Sequence, residues 1–307
     1  MCFLCPYSVT HHYSSTAKSI QSGCSALNSQ RAALLSALDS NASLADYKAA
    51  FNAYIGSFHL ATRRFPFGDD ARTGFLGHRL GKPRAVHIHF TYVDALCPAN
   101  QAASTDPRYE LCAQVFNYAA RLSREALAAK ARPEGGLNDA CKLFREAAGA
   151  FDFLAHPKLV MPLPVSMDIT PPVAAFFAQL MLAQAQVCVF EKATQNAFSP
   201  DLIAKIAADA HAKFAVLLQR LANDSLAVSA TGGMSVGKYF AGCTFKWASN
   251  AQLQAGLYAA QASYWMARSR FEARKWGDEI GYLRVALSQV GTQTRTSTRK
   301  GENVRIT

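Results

Sequence analysis

The chain has 307 residues, half of them hydrophobic and only 17% charged, which excludes a disordered polyelectrolyte and supplies a core for one large or two ordinary domains. Its 32 Lys and Arg against 21 Asp and Glu leave a formal charge of +11, a balance that favours acidic partners. The excess is diffuse, without long runs of like charge or basic residues interleaved with aromatics, so no nucleic-acid groove is expected.

Residues 1–25 are polar, rich in Ser and His, and expected to be poorly ordered. The opening MCFLCPYSV has no basic n-region, and its apolar run is too short for a signal peptide. From about Ala26 to Phe65 the pattern is helical, through Leu27, Leu34, Leu35 and Leu38. It resumes at Tyr47, Phe51, Tyr54, Ile55 and Phe58 after the turn-like Asp39-Ser40-Asn41. Residues 66–85, rich in Gly, Arg and Pro, read as a surface loop. The alternation from His87 to Val93 marks the only strand expected.

Asp106-Pro107 then opens a helix with a capping carboxylate ahead of a first-turn proline, and the apolar stripe Leu111, Val115, Tyr118, Ala119 and Leu122 carries it to about Ala131. Pro133-Glu134-Gly135-Gly136 breaks it, and a second amphipathic helix follows from Leu137 to Leu154. A proline-bearing connection, 157–172, leads to two further helices, each announced by the same device: Thr170-Pro171 and Ser199-Pro200. The first is apolar on nearly every side (Phe176, Phe177, Leu180, Met181, Leu182, Val187, Val189, Phe190), as a helix buried between neighbours should be. Gln179, Gln184 and Gln186 interrupt it and argue against a membrane span. The second carries Leu202, Ile203, Ile206, Phe214, Leu217 and Leu218 at helical spacing. After a loop at 224–237, helices are expected over roughly 240–273 and 275–290. The segment 291–307 has four Lys or Arg and no apolar periodicity, and reads as a basic disordered tail.

The pattern predicts a mainly α fold: a solenoid-like rod of antiparallel helix pairs, tetratricopeptide-like in its core, with a small β element near the N-terminus. No strict 34-residue repeat is visible. Such a surface suits binding to other proteins, and nothing in it looks catalytic. The spacing from Gly232 to Lys238 imitates a phosphate-binding loop, but Tyr239 stands where magnesium would need Ser or Thr; a nucleotide-binding enzyme using 232–238, or a membrane-surface protein acting through its basic charge, is the alternative reading. Cys2 and Cys5 have no second pair at zinc-finger distance, and adjacent His11 and His12 do not supply one. His87 and His89 share a strand face but read as packing or solvent contacts. The eight cysteines show no framework spacing, which suits a reducing compartment, and no cofactor or metal is expected. Trp247, Trp265 and Trp276 fall in helical segments, where large aromatics are usually core.

Taken in order, several short motifs resemble the Bro-one domain family, the module of Alix-, Brox-, rhophilin- and HD-PTP-type ESCRT-associated proteins. Arg64-Phe65-Pro66-Phe67 is similar to the family's basic corner. His89 to Leu96 resembles its strand and Asp-Ala turn, with Leu96 in place of an aromatic. Val115 to Ala120, Ala140 to Phe151, Asp168-Ile169-Thr170-Pro171, Leu182 to Gln186 and Lys275 to Ile280 follow in family order. The resemblance runs from about Arg31 to Val290. Residues 68–85 look like an insertion, and the family's last helices are expected to be missing, which would leave Ile280, Leu283 and Leu287 uncovered.

The resemblance implies a non-enzymatic adaptor that receives the C-terminal amphipathic helix of an ESCRT-III subunit, of the charged multivesicular body protein class. It further implies a cytoplasmic protein recruited peripherally to endosomal membranes, with an anionic membrane surface as a further contact. By position, the family's helix-receiving patch corresponds to Val189, Leu202 and Ile206. Leu202 and Ile206 are four residues apart and so share one helix face.

Overall fold

Two helices begin on side-chain caps that the sequence offers. In the computed structural model, which describes residues 17–39, 42–65, 88–98, 100–156, 167–222, 236–243 and 245–299, nine α-helices and one two-stranded sheet are present among the described residues. The helices are α1 (Ala17–Asp39), α2 (Leu44–Arg64), α3 (Pro107–Lys130), α4 (Gly136–Leu154), α5 (Pro171–Gln195), α6 (Pro200–Ala222), α7 (Val236–Gly242), α8 (Trp247–Glu272) and α9 (Trp276–Arg299). The strands are β1 (Phe90–Val93) and β2 (Gln101–Ser104). Ser43 Oγ accepts the Asp46 amide at 3.1 Å, and Asp106 Oδ1 accepts the Arg108 amide at 2.8 Å, each satisfying a first-turn donor. The carbonyls of Thr170 and Ser199 accept the first-turn amides of Ala174 and Ile203.

Several boundaries differ from expectation. Helix α1 starts at Ala17, inside the stretch expected to lack order, and α9 runs on to Arg299, past the Gly291 expected to open the tail. Helical backbone tolerates polar Gln, Thr and Arg once a packed turn has nucleated it, so apolar periodicity underestimates such helices. One strand is expected and two are present: β2 pairs antiparallel with β1, Phe90 opposite Ser104 and Val93 opposite Gln101. The sequence Gln-Ala-Ala-Ser has little β propensity of its own, and its strand state follows from the partner. The expectations for 1–16, for the 66–85 loop, for His87 and for residues 157–166 and 223–235 lie outside the described residues.

The chain divides into two compact units. The first holds the described residues up to Arg121 together with those of Phe153–Ala174. Its core is Tyr47, Tyr54, Phe58, Phe90, Tyr109 and Ile169. At its centre sits a fully buried carboxylate, Glu110. Its Oε1 accepts from Arg31 Nε at 2.9 Å and Tyr54 Oη at 2.8 Å, and its Oε2 from Tyr92 Oη at 2.6 Å. Gln114 Nε2 donates to Tyr92 Oη at 2.8 Å and to Glu110 at 3.2 Å. One carboxylate thus ties α1, α2, β1 and α3 together. Burial, then the adjacent Glu110 charge, push both phenols above their ordinary range. Burial works to lower the Arg31 pKa, but Glu110 outweighs it and leaves the guanidinium above its usual value. A second tie joins the Asp94-Ala95 turn to the 3-10 turn Met167–Ile169: the Ala95 amide donates to the buried Asp168 carboxylate.

The second unit holds Leu122–Asp152, the described residues of Ala175–Val228 and those from Val236 on. Helix α8 packs on α6 and on α9. Phe176, Phe177, Phe240 and Trp247 form an aromatic knot with centroids 4.4–5.9 Å apart. Tyr258 stacks on Phe214 at 5.9 Å and meets Phe190 edge-on at 5.5 Å. Trp247 and Trp265 are half-buried, but Trp276 is exposed, which corrects the expectation that all three belong to the core. It opens α9 at a turn, where no further element of the described chain covers it.

Candidate functional site

Helix α5 is buried on most of its circumference: Val173, Phe176, Phe177, Ala183, Val187, Cys188 and Ala193 are all in the core. By length and composition it could cross a bilayer, but 61% of its most apolar window is buried within the fold. One of its accessible stripes is Ala175, Gln179, Leu182, Gln186 and Val189, spaced alternately four and three residues apart, while Leu180, Gln184 and Glu191 are half-buried on other sides. Helix α6 shows the same arrangement. Ile203, Ala204, Ala207, Ala210, Phe214 and Leu217 point inward, whereas Leu202, Ile206, Asp209, Lys213 and Val216 form an accessible stripe.

The two stripes are brought side by side. Gln186 Nε2 donates to the Ile206 carbonyl at 3.3 Å. The connection between the helices is a tight turn in which Ala197 takes a left-handed φ of 49°, and the Phe198 amide returns to the Ala193 carbonyl at 3.1 Å. Val189 is 37% exposed, Leu202 43%, and Ile206 half-buried. None of the three residues singled out from the sequence is therefore buried in the core.

Charge lies both beside this face and within the α6 stripe. Lys205 pairs with Asp201 at 2.7 Å and Lys213 with Asp209 at 3.2 Å, both exposed pairs one helical turn apart. Behind the face, Lys130 pairs with Glu191 at 2.7 Å, and Lys192 donates to Asn138 at 2.7 Å, fixing the end of α5 against α3 and α4. Cys188, adjacent to Val189, is buried, and that burial pushes its thiol up to about 11. The arrangement offers apolar side chains between two helix ridges, with no nucleophile, base or acid converging on them. It can receive a helix.

Sequence reasoning missed Leu182, Phe198 and Val216, which are exposed and extend the apolar face. Leu182 lies two turns before Val189, and Val216 lies on the line from Leu202 through Ile206, so the heptad spacing carried the signal. Among the described residues no group of three or more His, Cys, Asp or Glu could hold a metal ion. His89, immediately before β1, is exposed. The glycine-rich start of the 232–238 loop lies outside the described residues, and from Val236 the chain is already helix.

The chain belongs to the BRO1-like domain family, whose model matches residues 7–305. Among curated proteins it is 26% identical to human tyrosine-protein phosphatase non-receptor type 23 over 77% of this chain but 13% of that protein. It is 25% identical to the vacuolar-sorting protein BRO1 of Arabidopsis thaliana over 78% of this chain and 26% of that protein, and 28% identical to human rhophilin-2 over 71% and 30%. It thus spans less than a third of each of these relatives. Among solved structures it superposes on the ALIX BRO1–CHMP4C complex with a TM-score of 0.72 at 21% identity, over 99% of this chain and 79% of that one. A structure describing endosomal targeting by the Bro1 domain matches with a TM-score of 0.69 at 16% identity, over 95% and 72%. At such identities the likeness establishes the fold. The small-residue steps of the sequence motifs serve that fold: Ala147 and Ala148 are buried, and Phe151 stacks on Phe177 at 5.2 Å.

Proposed function

We propose that the chain is a non-enzymatic adaptor whose α5–α6 face receives the C-terminal amphipathic helix of an ESCRT-III subunit, with Val189, Leu202 and Ile206 as the central contacts. The observation that carries this reading is their accessibility on two adjoining helices whose inward apolar residues, among them Val187, Ile203 and Leu217, are buried. An apolar side chain left in water on such a helix costs stability without contributing to the core, and a partner ridge removes that cost. The family's solved complex with CHMP4C and the vacuolar-sorting name of the Arabidopsis relative support the partner class and a role in endosomal sorting or a related membrane scission step. The protein is then cytoplasmic and is brought to endosomal membranes through its partner, with the +11 charge assisting at anionic surfaces.

Three such side chains contribute about 1.5–3 kcal/mol each before association costs, in keeping with micromolar affinity for a helix in a groove. Titration of purified protein with labelled C-terminal helices of ESCRT-III subunits tests the reading. Saturable micromolar binding is expected, weakened at least about tenfold by Leu202→Asp and by Ile206→Asp with the circular dichroism melt unchanged. Folded variants that bind as well as the parent would place the partner elsewhere, and variants that unfold would return these residues to the core.

A further inference from the structure

Helices α4 and α5 run antiparallel in the second unit, and two contacts fix their register. At one end Lys192 Nζ donates to Asn138 Oδ1 at 2.7 Å; at the other Phe151 stacks on Phe177 at 5.2 Å. Cys188 stands four residues before Lys192, and Cys141 three residues after Asn138. At about 1.5 Å per residue, the two thiols are therefore level to within roughly 1.5 Å along the helix axes. Counting from the Phe151–Phe177 stack, ten residues back along α4 against eleven forward along α5, gives the same offset.

The facing sides agree with the levels. On α5, Phe177, Cys188 and Lys192 follow one another at eleven and four residues, which puts them in one arc of about 60°. On α4, Cys141 falls between Asn138 and Phe151 around the helix. Interaxial distances of about 8–10 Å leave level side chains on facing sides within reach of one another. Cys188 is 1% exposed and Cys141 half-buried, so one sulfur is enclosed and the other is reachable from solvent. Burial, first, pushes the Cys188 thiol up to about 11; Lys130 pulls it down, and the charges of Glu191 and Cys141 push it up. Each thiol thus lies within the field of the other, with the Lys130–Glu191 pair beside them.

We propose that Cys141 and Cys188 form a redox modification site, in which hydrogen peroxide closes a reversible disulfide between α4 and α5. The reachable Cys141 thiolate attacks a peroxide oxygen: the S–O bond forms, the O–O bond breaks, and the leaving hydroxide takes up the Cys141 proton as water. Cys188 then attacks the sulfenic sulfur of Cys141: the S–S bond forms, the S–O bond breaks, and hydroxide departs with the Cys188 proton as a second water. Two thiols lose two electrons and two protons, and one peroxide becomes two waters. An enclosed thiol behind a reachable one halts oxidation at the disulfide, where a sulfenic acid without such a neighbour advances to sulfinic acid. In a reducing compartment the bond is transient, and small thiols return it to the dithiol. The pair adjoins Val189 along the chain, but its chemistry does not depend on what the α5–α6 face binds.

The test is peptide mapping by mass spectrometry, without reduction, of the dilute full chain after a mild dose of hydrogen peroxide. A cross-linked pair of peptides containing Cys141 and Cys188, lighter by two hydrogens than their sum, is expected, and dithiothreitol should restore both thiols. Cys141→Ser and Cys188→Ala should each abolish the cross-link, and in Cys188→Ala the sulfinic acid at Cys141 should rise several-fold. Circular dichroism melts verify that the variants are folded. Cys141→Ser, at the half-buried position, keeps the comparison valid should the core variant Cys188→Ala unfold. Sulfinic acid at Cys141 of the parent chain with Cys188 still a thiol would overturn the proposal. Two unmodified thiols, a disulfide from Cys141 to a different cysteine, or a cross-link that forms only in denaturant would do the same.

Discussion

The two units use polar and apolar side chains in opposite ways. The first buries charge: Glu110 lies in the core with Arg31, Tyr54, Tyr92 and Gln114 around it, and every partner comes from a different turn or element. The second exposes grease: Leu202 and Val189 on one helix pair, and Trp276, Ile280 and Leu287 on another, stand in water. A buried, saturated carboxylate specifies one arrangement of elements and offers nothing to a ligand. An exposed apolar stripe adds nothing to the core and is useful only when something covers it. The difference separates residues that hold the fold from apolar residues the fold leaves accessible, and it does so against the usual rule that polar groups lie outside and apolar groups inside.

Neighbouring positions on α6 give the sharpest way to break this distinction. Ile203→Asp places an unpaired carboxylate in the core and should cost more than about 4 kcal/mol, enough to abolish the cooperative melt of the second unit. Leu202→Asp, one residue earlier, should change stability by less than about 1 kcal/mol while removing partner binding. Equal loss of stability from both would mean the α5–α6 face is core. In the first unit, Glu110→Ala strands Arg31 among buried phenols and should destabilise by about 3–5 kcal/mol, read as a lowered denaturation midpoint without loss of helix binding at the α5–α6 face. A small effect would show that the cluster is dispensable.

Val189→Phe is a gain-of-function test of the same face. The added ring should tighten partner binding by about threefold to tenfold if Val189 is a contact, and leave it unchanged if the partner passes to one side. The smallest effect is chemical. Burial, and then the Asp106 charge, push the Cys112 thiol up to about 12, and burial pushes Cys188 up to about 11, so near pH 8 both are neutral and enclosed. Iodoacetamide should label the half-buried Cys97 and Cys141 before Cys112 and Cys188, which it should reach only as denaturant opens the fold, with mass spectrometry as the readout. Early labelling of Cys188 would indicate that the end of α5 opens locally.

Helix identity was legible in the chain because its signals are local. A capping residue before a first-turn proline, an apolar period of three and four, and a Pro-Gly break act within one or two turns, so α3 to α6 stand close to where those signals put them. Motif order, which fixes position along a chain, is what singled out Val189, Leu202 and Ile206, and the fold leaves Val189 and Leu202 exposed and Ile206 half-buried. What one-dimensional pattern could not supply was the side on which each stripe is covered. Ile203 and Leu202 are both apolar, as are Phe177 and Leu182, and only the packing of neighbouring helices made the first of each pair core and the second surface. The same holds for β2, a strand only because β1 lies beside it, for Trp276, which has no neighbour over it, and for Glu110, whose charge is tolerated inside because residues from α1, α2 and β1 converge on it. Burial depends on contacts between segments far apart in sequence, and those contacts exist only in the folded chain.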